Sequence, residues 1–151
     1  MAPVLRISEA AAMALHTAAF MAVDQERTCS TRELAARLSG SEAHLSKVLQ
    51  RLTKAGLVLS SRGPRGGFSL ARPAGEINLL QVWEAIDGPV GDVHCMQNPP
   101  VCDGTTCLFG ALVAKMNRQA REYLGGTTLA DLRYDQGQLV RRGQRPGRSA
   151  G

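Results

Sequence analysis

The sequence predicts a mainly helical fold, in which two short helices joined by a tight turn lead into a two-stranded wing and a long helix follows. Apolar residues recur at helical spacing in five separate stretches. Two of these stretches are short and meet through Ser39-Gly40-Ser41, the signature of a helix-turn-helix. The second of them runs into two strand-like segments separated by the loop Arg62-Gly63-Pro64-Arg65-Gly66-Gly67.

Each element has a local reason. Ser8 can cap a first helix that runs to about Val23, and its Ala, Leu, Met and Phe positions form a core-type pattern. Ser30 and Glu33 make a capping box for a second helix with Leu34, Ala35 and Leu38 on one face, and Gly40 is expected to end it. Ser41 caps a third helix whose Leu45, Val48, Leu49 and Leu52 fall at i, i+3, i+4 and i+7 before a left-handed stop at Gly56. Strands are expected at 57–61 and 68–71.

Asn78 and Gln81 start a fourth helix, with Leu79, Val82, Trp83 and Ile86 as its buried stripe and Ile77 stapled onto Val82. Gly88-Pro89 ends it, and a loop from Gly91 to Thr106 follows. A fifth helix over 108–124 carries Phe109, Leu112, Val113, Met116, Ala120, Tyr123 and Leu124 on one side. That stripe is wide for an appended helix, so it is expected to pack on the first helix, on a partner subunit, or on both. One helical turn is expected at 128–132, and disorder beyond about Asp135, where Gly, Gln, Pro and Arg dominate. Four regions result: 1–88, a winged helix-turn-helix domain; 89–107, a cysteine-bearing loop; 108–134, a long helix with a short turn; and 135–151, a basic tail.

With 151 residues the chain can bury one ordinary core, plus an attachment, but not two full domains. Aromatic residues at 4% leave Leu, Val, Ala and Met to fill that core. Lys and Arg outnumber Asp and Glu by 18 to 13, so a polyanionic partner is favoured through counterion release. The apolar run 10–23 is interrupted by His16 and Thr17 and is too short to cross a bilayer, and no signal peptide precedes it; a cytoplasmic protein without a membrane partner is expected. Of the four cysteines, Cys95, Cys102 and Cys107 fall close together, while Cys29 stands alone. In a chain read as cytoplasmic these are thiols, metal ligands or redox switches before they are structural disulfides.

Two groups of residues carry the chemistry. With its leucines turned inward, the third helix presents Ser41, Ala43, Ser46, Lys47, Gln50 and Lys54. Short residues permit close approach to a major groove, and hydroxyl, amide and ammonium groups meet base edges and phosphates. Arg62 and Arg65, on a loop of Gly63, Pro64, Gly66 and Gly67, suit a sugar-phosphate backbone or a narrow minor groove. A nucleotide cradle does not fit this loop, because no Gly-Lys-Ser/Thr follows and the chain continues as a strand. No nucleophile–base pair or metalloprotease helix is present to suggest an enzyme or a small-molecule substrate. The three clustered thiolates suit an iron-sulfur cluster or zinc, and two of them suit a reversible disulfide.

The run Leu49-Gln50-Arg51-Leu52-Thr53-Lys54-Ala55-Gly56-Leu57-Val58, followed by Arg62-Gly63-Pro64-Arg65-Gly66-Gly67-Phe68-Ser69-Leu70, resembles the recognition helix and wing of the IscR/NsrR-type winged-helix regulators of bacteria, of the Rrf family. The resemblance spans roughly 5–124. It implies a homodimer paired through the long helix, a palindromic double-stranded DNA operator, and a transcriptional regulator, expected to be a repressor. It also implies an iron-sulfur cluster, 2Fe-2S or 4Fe-4S, on Cys95, Cys102 and Cys107, whose spacing here, Cys-x6-Cys-x4-Cys, differs slightly from the family patterns. Where members place a histidine after the last cysteine or an acidic fourth ligand on the first helix, this chain has Gly110 and Ala12. His16 then stands where one member uses a histidine, with His94 as the local alternative. Ser46 and Lys47 stand where members read bases with an acidic and an amide residue, which implies a different operator.

Overall fold

The computed structural model describes residues 7–91, 95, 107, 109–135 and 138–143. Among them the chain forms α1 (Glu9–Val23), α2 (Thr31–Leu38), α3 (Glu42–Lys54), β1 (Val58–Ser61), β2 (Gly67–Leu70), α4 (Leu79–Asp87), α5 (Gly110–Gly125), β3 (Leu132–Asp135) and β4 (Gln138–Arg141). Single 3-10 turns at Ala74–Glu76 and Leu129–Asp131 lead into α4 and β3. The fold is mainly helical, with one antiparallel hairpin after α3 and a second near the end of the described chain.

Caps set the helix starts. The hydroxyls of Ser8, Ser30 and Ser41 accept from the amides of Ala11, Glu33 and His44. Asn78 and Gln81 bond reciprocally, side chain to backbone, at 2.9 and 3.0 Å. Each such cap contributes about 1 kcal/mol. Glu33 does not complete the capping box expected at α2, because its carboxylate is drawn outward to the Arg27 guanidinium.

The stops are equally local. Gly56 takes φ +70, the Gly56 amide donates to Thr53 and the Leu57 amide to Leu52, both at 3.0 Å, closing α3 in a Schellman motif. At the end of α2 the same motif is made one residue earlier than the sequence suggests. Ser39, not Gly40, is left-handed (φ 50). A Cβ at Gly40 would lie 3.1 Å from the Met13 methyl, tight enough that the methionine would have to shift by a few tenths of an ångström.

The core forms around α1. Its Ala11, Ala14, Ala18 and Met21 are buried, and the small residues let α2, α3 and α4 approach closely. Leu45, Val48, Leu49 and Leu52 of α3 are each at most 2% exposed, and every such burial contributes about 1.5–3 kcal/mol. Ile77 and Val82 are fully buried together, whereas Trp83 lies only half-buried beside the stripe assigned to it.

β1 and β2 pair from Val58 with Leu70 to Ser61 with Gly67; β1 starts one residue later than the sequence suggests, and β2 both starts and ends one residue earlier. After α5 the chain returns to the start of α4: the Leu79 amide donates to Thr127 at 2.9 Å and the Leu129 amide to Ile77 at 2.8 Å. α5 packs against α4, with Gly125 beside Leu80. Phe109, Leu112 and Tyr123 of its apolar stripe remain about half exposed.

Residues 138–141, expected to be disordered, instead pair with 132–135. The hairpin is held to α1 by Tyr134, whose ring stacks on Phe20 at 4.2 Å between centroids and 16° between planes. The Tyr134 hydroxyl also lies 3.4 Å from both the ring and the carbonyl of His16. Residues 144–151 of the expected tail lie outside the described residues.

Burial pushes the Tyr134 phenol from its ordinary value near 10 up to about 12. The folded chain therefore holds that proton more tightly than the unfolded chain, and stability falls as pH rises from 10 towards 12. Alkaline unfolding followed by circular dichroism is expected to show this fall, and Tyr134→Phe to lessen it. Tyr134→Ala is expected to cost about 1–3 kcal/mol by urea titration, through loss of the aromatic stack.

Candidate nucleic-acid interface and cysteine site

Rotation of α3 about its axis is fixed by its buried leucines, and this decides which side chains face outward. Ser41, Ala43, Lys47, Gln50 and Lys54 are exposed, with Ser46 half-buried. Glu42 in the first turn and Arg51 and Lys54 in the last complement the helix dipole. Between this face and Ala10 at the start of α1 lies an open hollow of about 450 Å3 bordered by His44, Lys47, Gln50, Arg51 and Lys54. The His44 ring lies 4.0 Å from the Glu9 carboxylate, a residue pair the sequence reading did not single out.

The wing tip is exposed from Arg62 to Arg65, and Gly66 and Gly67 are half-buried beneath it. Among the described residues, the side chains of Lys47, Gln50, Lys54, Arg62 and Arg65 make no ion pair or hydrogen bond. Their backbone is held firmly nonetheless. The Gly66 amide donates to the Gly63 carbonyl at 2.9 Å, and the Thr28 hydroxyl to the Arg65 carbonyl at 3.0 Å.

Cys29 and Phe68 exchange both backbone hydrogen bonds at 2.8 Å, which docks the wing on the segment that leads into α2. Gly67 makes this approach possible, because a Cβ there would stand 2.7 Å from the Cys29 carbonyl oxygen. Burial is the main reason the Cys29 thiol is pushed above its ordinary value, with Glu33 adding to the effect, so it is a poor thiolate. Thr28 and Cys29 are positioning residues that the sequence reading missed. Their partners lie 37 and 39 positions away, and nothing in the local pattern signals the pairing.

Of the candidate metal ligands, Cys95 and Cys107 are half-buried, and Cys102 and His94 lie outside the described residues. Cys107 precedes α5, its carbonyl accepting from the Gly110 amide at 3.2 Å; the first turn of α5 has no side-chain cap. A cysteine sulfur is the donor type that iron-sulfur clusters and zinc take, so Cys107 fits such a group by the chemistry of its donor. His16 is exposed on α1 beside Tyr134. Among the described residues no group of three or more His, Cys, Asp or Glu side chains is close enough to hold a metal ion. No described helix is long and apolar enough to cross a membrane.

A helix-turn-helix followed at once by a docked hairpin, on a core centred on α1, makes this a winged helix-turn-helix protein. The Rrf2 family, described as iron-dependent transcriptional regulators, matches residues 7–135, and the chain belongs to it. It is 33% identical to the HTH-type transcriptional regulator IscR of Xenorhabdus nematophila over 108 residues, covering 72% of this chain and 66% of that one. It is also 33% identical to IscR of Serratia proteamaculans, over 77% of this chain and 71% of that one. Two HTH-type regulators of Neisseria meningitidis are 35% identical over a stretch that spans 62% of their length.

Among solved structures, CymR, the global cysteine regulator of B. subtilis, superimposes with a TM-score of 0.74 at 26% identity, over 85% of this chain and 95% of that one. T. potens IscR does so with a TM-score of 0.69 at 26% identity, over 85% of both chains. The named relatives are regulators and not enzymes.

Gly67→Ala is expected to force the wing off Cys29 and cost about 2 kcal/mol, both from the contact and from the backbone angle of φ +155. Hydrogen exchange at the Phe68 amide checks this: it should speed up in the variant while the amides of α4 stay protected.

Proposed function

We propose that the chain is a homodimeric regulator that binds a palindromic duplex, reads it with α3 and grips its backbone with the wing. One observation carries this reading. Four cations and an amide (Lys47, Lys54, Arg62, Arg65 and Gln50) are exposed, without side-chain partners among the described residues, on α3, which the core holds through its buried face, and on a wing docked through Phe68 and Cys29 to the segment that leads into α2. A face that served only solubility would not need its backbone held so rigidly. A face that binds phosphates gains by it, because little remains to be ordered on binding.

In this reading Ser41, Ala43, Ser46, Lys47 and Gln50 approach the bases, while Lys54 and the loop Arg62-Gly63-Pro64-Arg65-Gly66-Gly67 approach the sugar-phosphate backbone. The exposed Phe109, Leu112 and Tyr123 of α5 suit pairing with a second copy, as the family resemblance implies. Cys95, Cys102 and Cys107 would hold an iron-sulfur cluster, with His16 of a second copy as the candidate fourth ligand. When bound, the cluster would supply sensitivity to oxidants, nitric oxide or iron supply. Repression is the expected outcome of operator binding.

Titration of a selected duplex at several salt concentrations tests the interface. Arg62→Ala and Arg65→Ala are each expected to weaken binding to all sequences and reduce the salt slope by about 1; Gln50→Ala or Lys47→Ala should cost about 1–3 kcal/mol and relax preference at single base pairs. Equal loss of affinity and unchanged slope in all four variants would reject the assignment. For the cysteines, protein purified without oxygen is expected to carry iron and sulfide and to absorb in the visible range. Cys102→Ser should lose both, and a colourless, iron-free wild type would favour a thiol switch.

A further inference from the structure

Three hydrogen bonds to three different parts of the molecule converge on the last turn of α4. The Asp87 carboxylate accepts from the Ser8 hydroxyl that caps α1, at 2.7 Å. The Ile86 carbonyl accepts from the Arg51 guanidinium of α3, at 3.0 Å in a partly buried contact. The Glu84 carboxylate accepts from the Val90 amide at 3.0 Å, folding the departing chain back over the helix end. Gly88, at φ +85 and with its amide on the Glu84 carbonyl, makes the reversal possible. The chain that runs on towards Cys95 therefore passes Val90 on a turn that grips both α1 and α3.

Arg51 stands out on α3. Lys47 and Lys54 reach outward without a partner among the described residues, whereas Arg51, between them, is committed to a backbone carbonyl of another helix. That carbonyl is one of the last of α4, which have no partner within their own helix, and a guanidinium satisfies it while complementing the negative end of the dipole. Arginine keeps its charge at all relevant pH values and offers several donors, so the bond tolerates small movements but resists being left unmade.

We propose that Arg51 is a positioning residue that couples the segment bearing Cys95 to the DNA-reading helix, and is not itself a DNA contact. The proposal rests on the function given above. A change in the path of the chain beyond Val90 turns the end of α4, and Arg51 carries that turn to α3. α3 moves as a unit, because its four buried residues bind it to the core along its length. Coupling is reciprocal: a duplex seated on α3 must in turn alter the surroundings of Cys95.

The reciprocal direction gives a test that needs no cluster. Full-length protein is reduced, freed of metal by chelation and treated with iodoacetamide, with and without a duplex selected by the wild type from a random library. Alkylation of Cys95 is followed by mass spectrometry. In the wild type the duplex is expected to change the rate about fivefold or more, the lower range of typical allosteric coupling. In Arg51→Met and Arg51→Gln the change should disappear while the duplex is still bound. Arg51→Lys, which keeps a donor and the charge, should restore part of it. Two variants are read so that a folding defect in one leaves the other to decide.

A DNA-dependent change that persists in both variants overturns the coupling and leaves the DNA-binding function standing, since simple shielding by the duplex would behave in that way. Absence of the change in a wild type that binds the duplex overturns the coupling too. Loss of duplex binding in both folded variants would make Arg51 a DNA contact and reject its positioning role. A wild type that selects no duplex overturns the proposed function and the coupling with it.

Discussion

The orientation of α3 about its own axis is decided by four side chains. Leu45, Val48, Leu49 and Leu52 are at most 2% exposed, and at about 1.5–3 kcal/mol each their burial outweighs any preference of the outer face. A turn of 100° would lift at least two of them into water and press Lys47 or Gln50 into the core, where a polar group without a partner costs a further 1–3 kcal/mol or about that. The polar face thus has no freedom of its own. It lies where the leucines leave it, and every claim about what this helix can touch depends on that.

The same physics explains what was legible in the sequence. Caps and apolar stripes depend on residues three or four positions apart, so Ser8, Ser41, Asn78 with Gln81, the four buried residues of α3 and the left-handed Gly56 could all be read directly. What escaped reading depends on partners outside the element that carries the residue. Tyr134 meets His16 and Phe20 more than a hundred positions away, and that contact, with Leu132 packed on the core, gives an arginine-rich segment a reason to form a hairpin. Glu33 was expected at a backbone amide and sits on Arg27, because a nearby guanidinium is a stronger partner than the amide. Gly40 was assigned to the helix stop from its type, but Ser39 makes the left-handed turn and Gly40 lies against Met13, a contact between α1 and the turn after α2. Of the candidate site, the outward set on α3 and the wing tip were legible. The bonds that hold them in place, from Thr28, Cys29 and Arg51, were not.

Those holding bonds matter because of the entropy of binding. A free loop of glycine, proline and arginine would have to be ordered on a ligand, at about 1–2 kcal/mol for each backbone residue fixed. Here the Gly63 and Arg65 carbonyls already have donors, and Gly67 is clasped to Cys29. Only the arginine side chains remain to be ordered, and each salt link they form with a phosphate returns free energy through released counterions. A wing of this kind can therefore consist of few contacts and still contribute to affinity. Its cost has been met in folding, by a strand pairing that also fixes where the wing stands relative to α2 and, through the turn at Ser39, relative to α3.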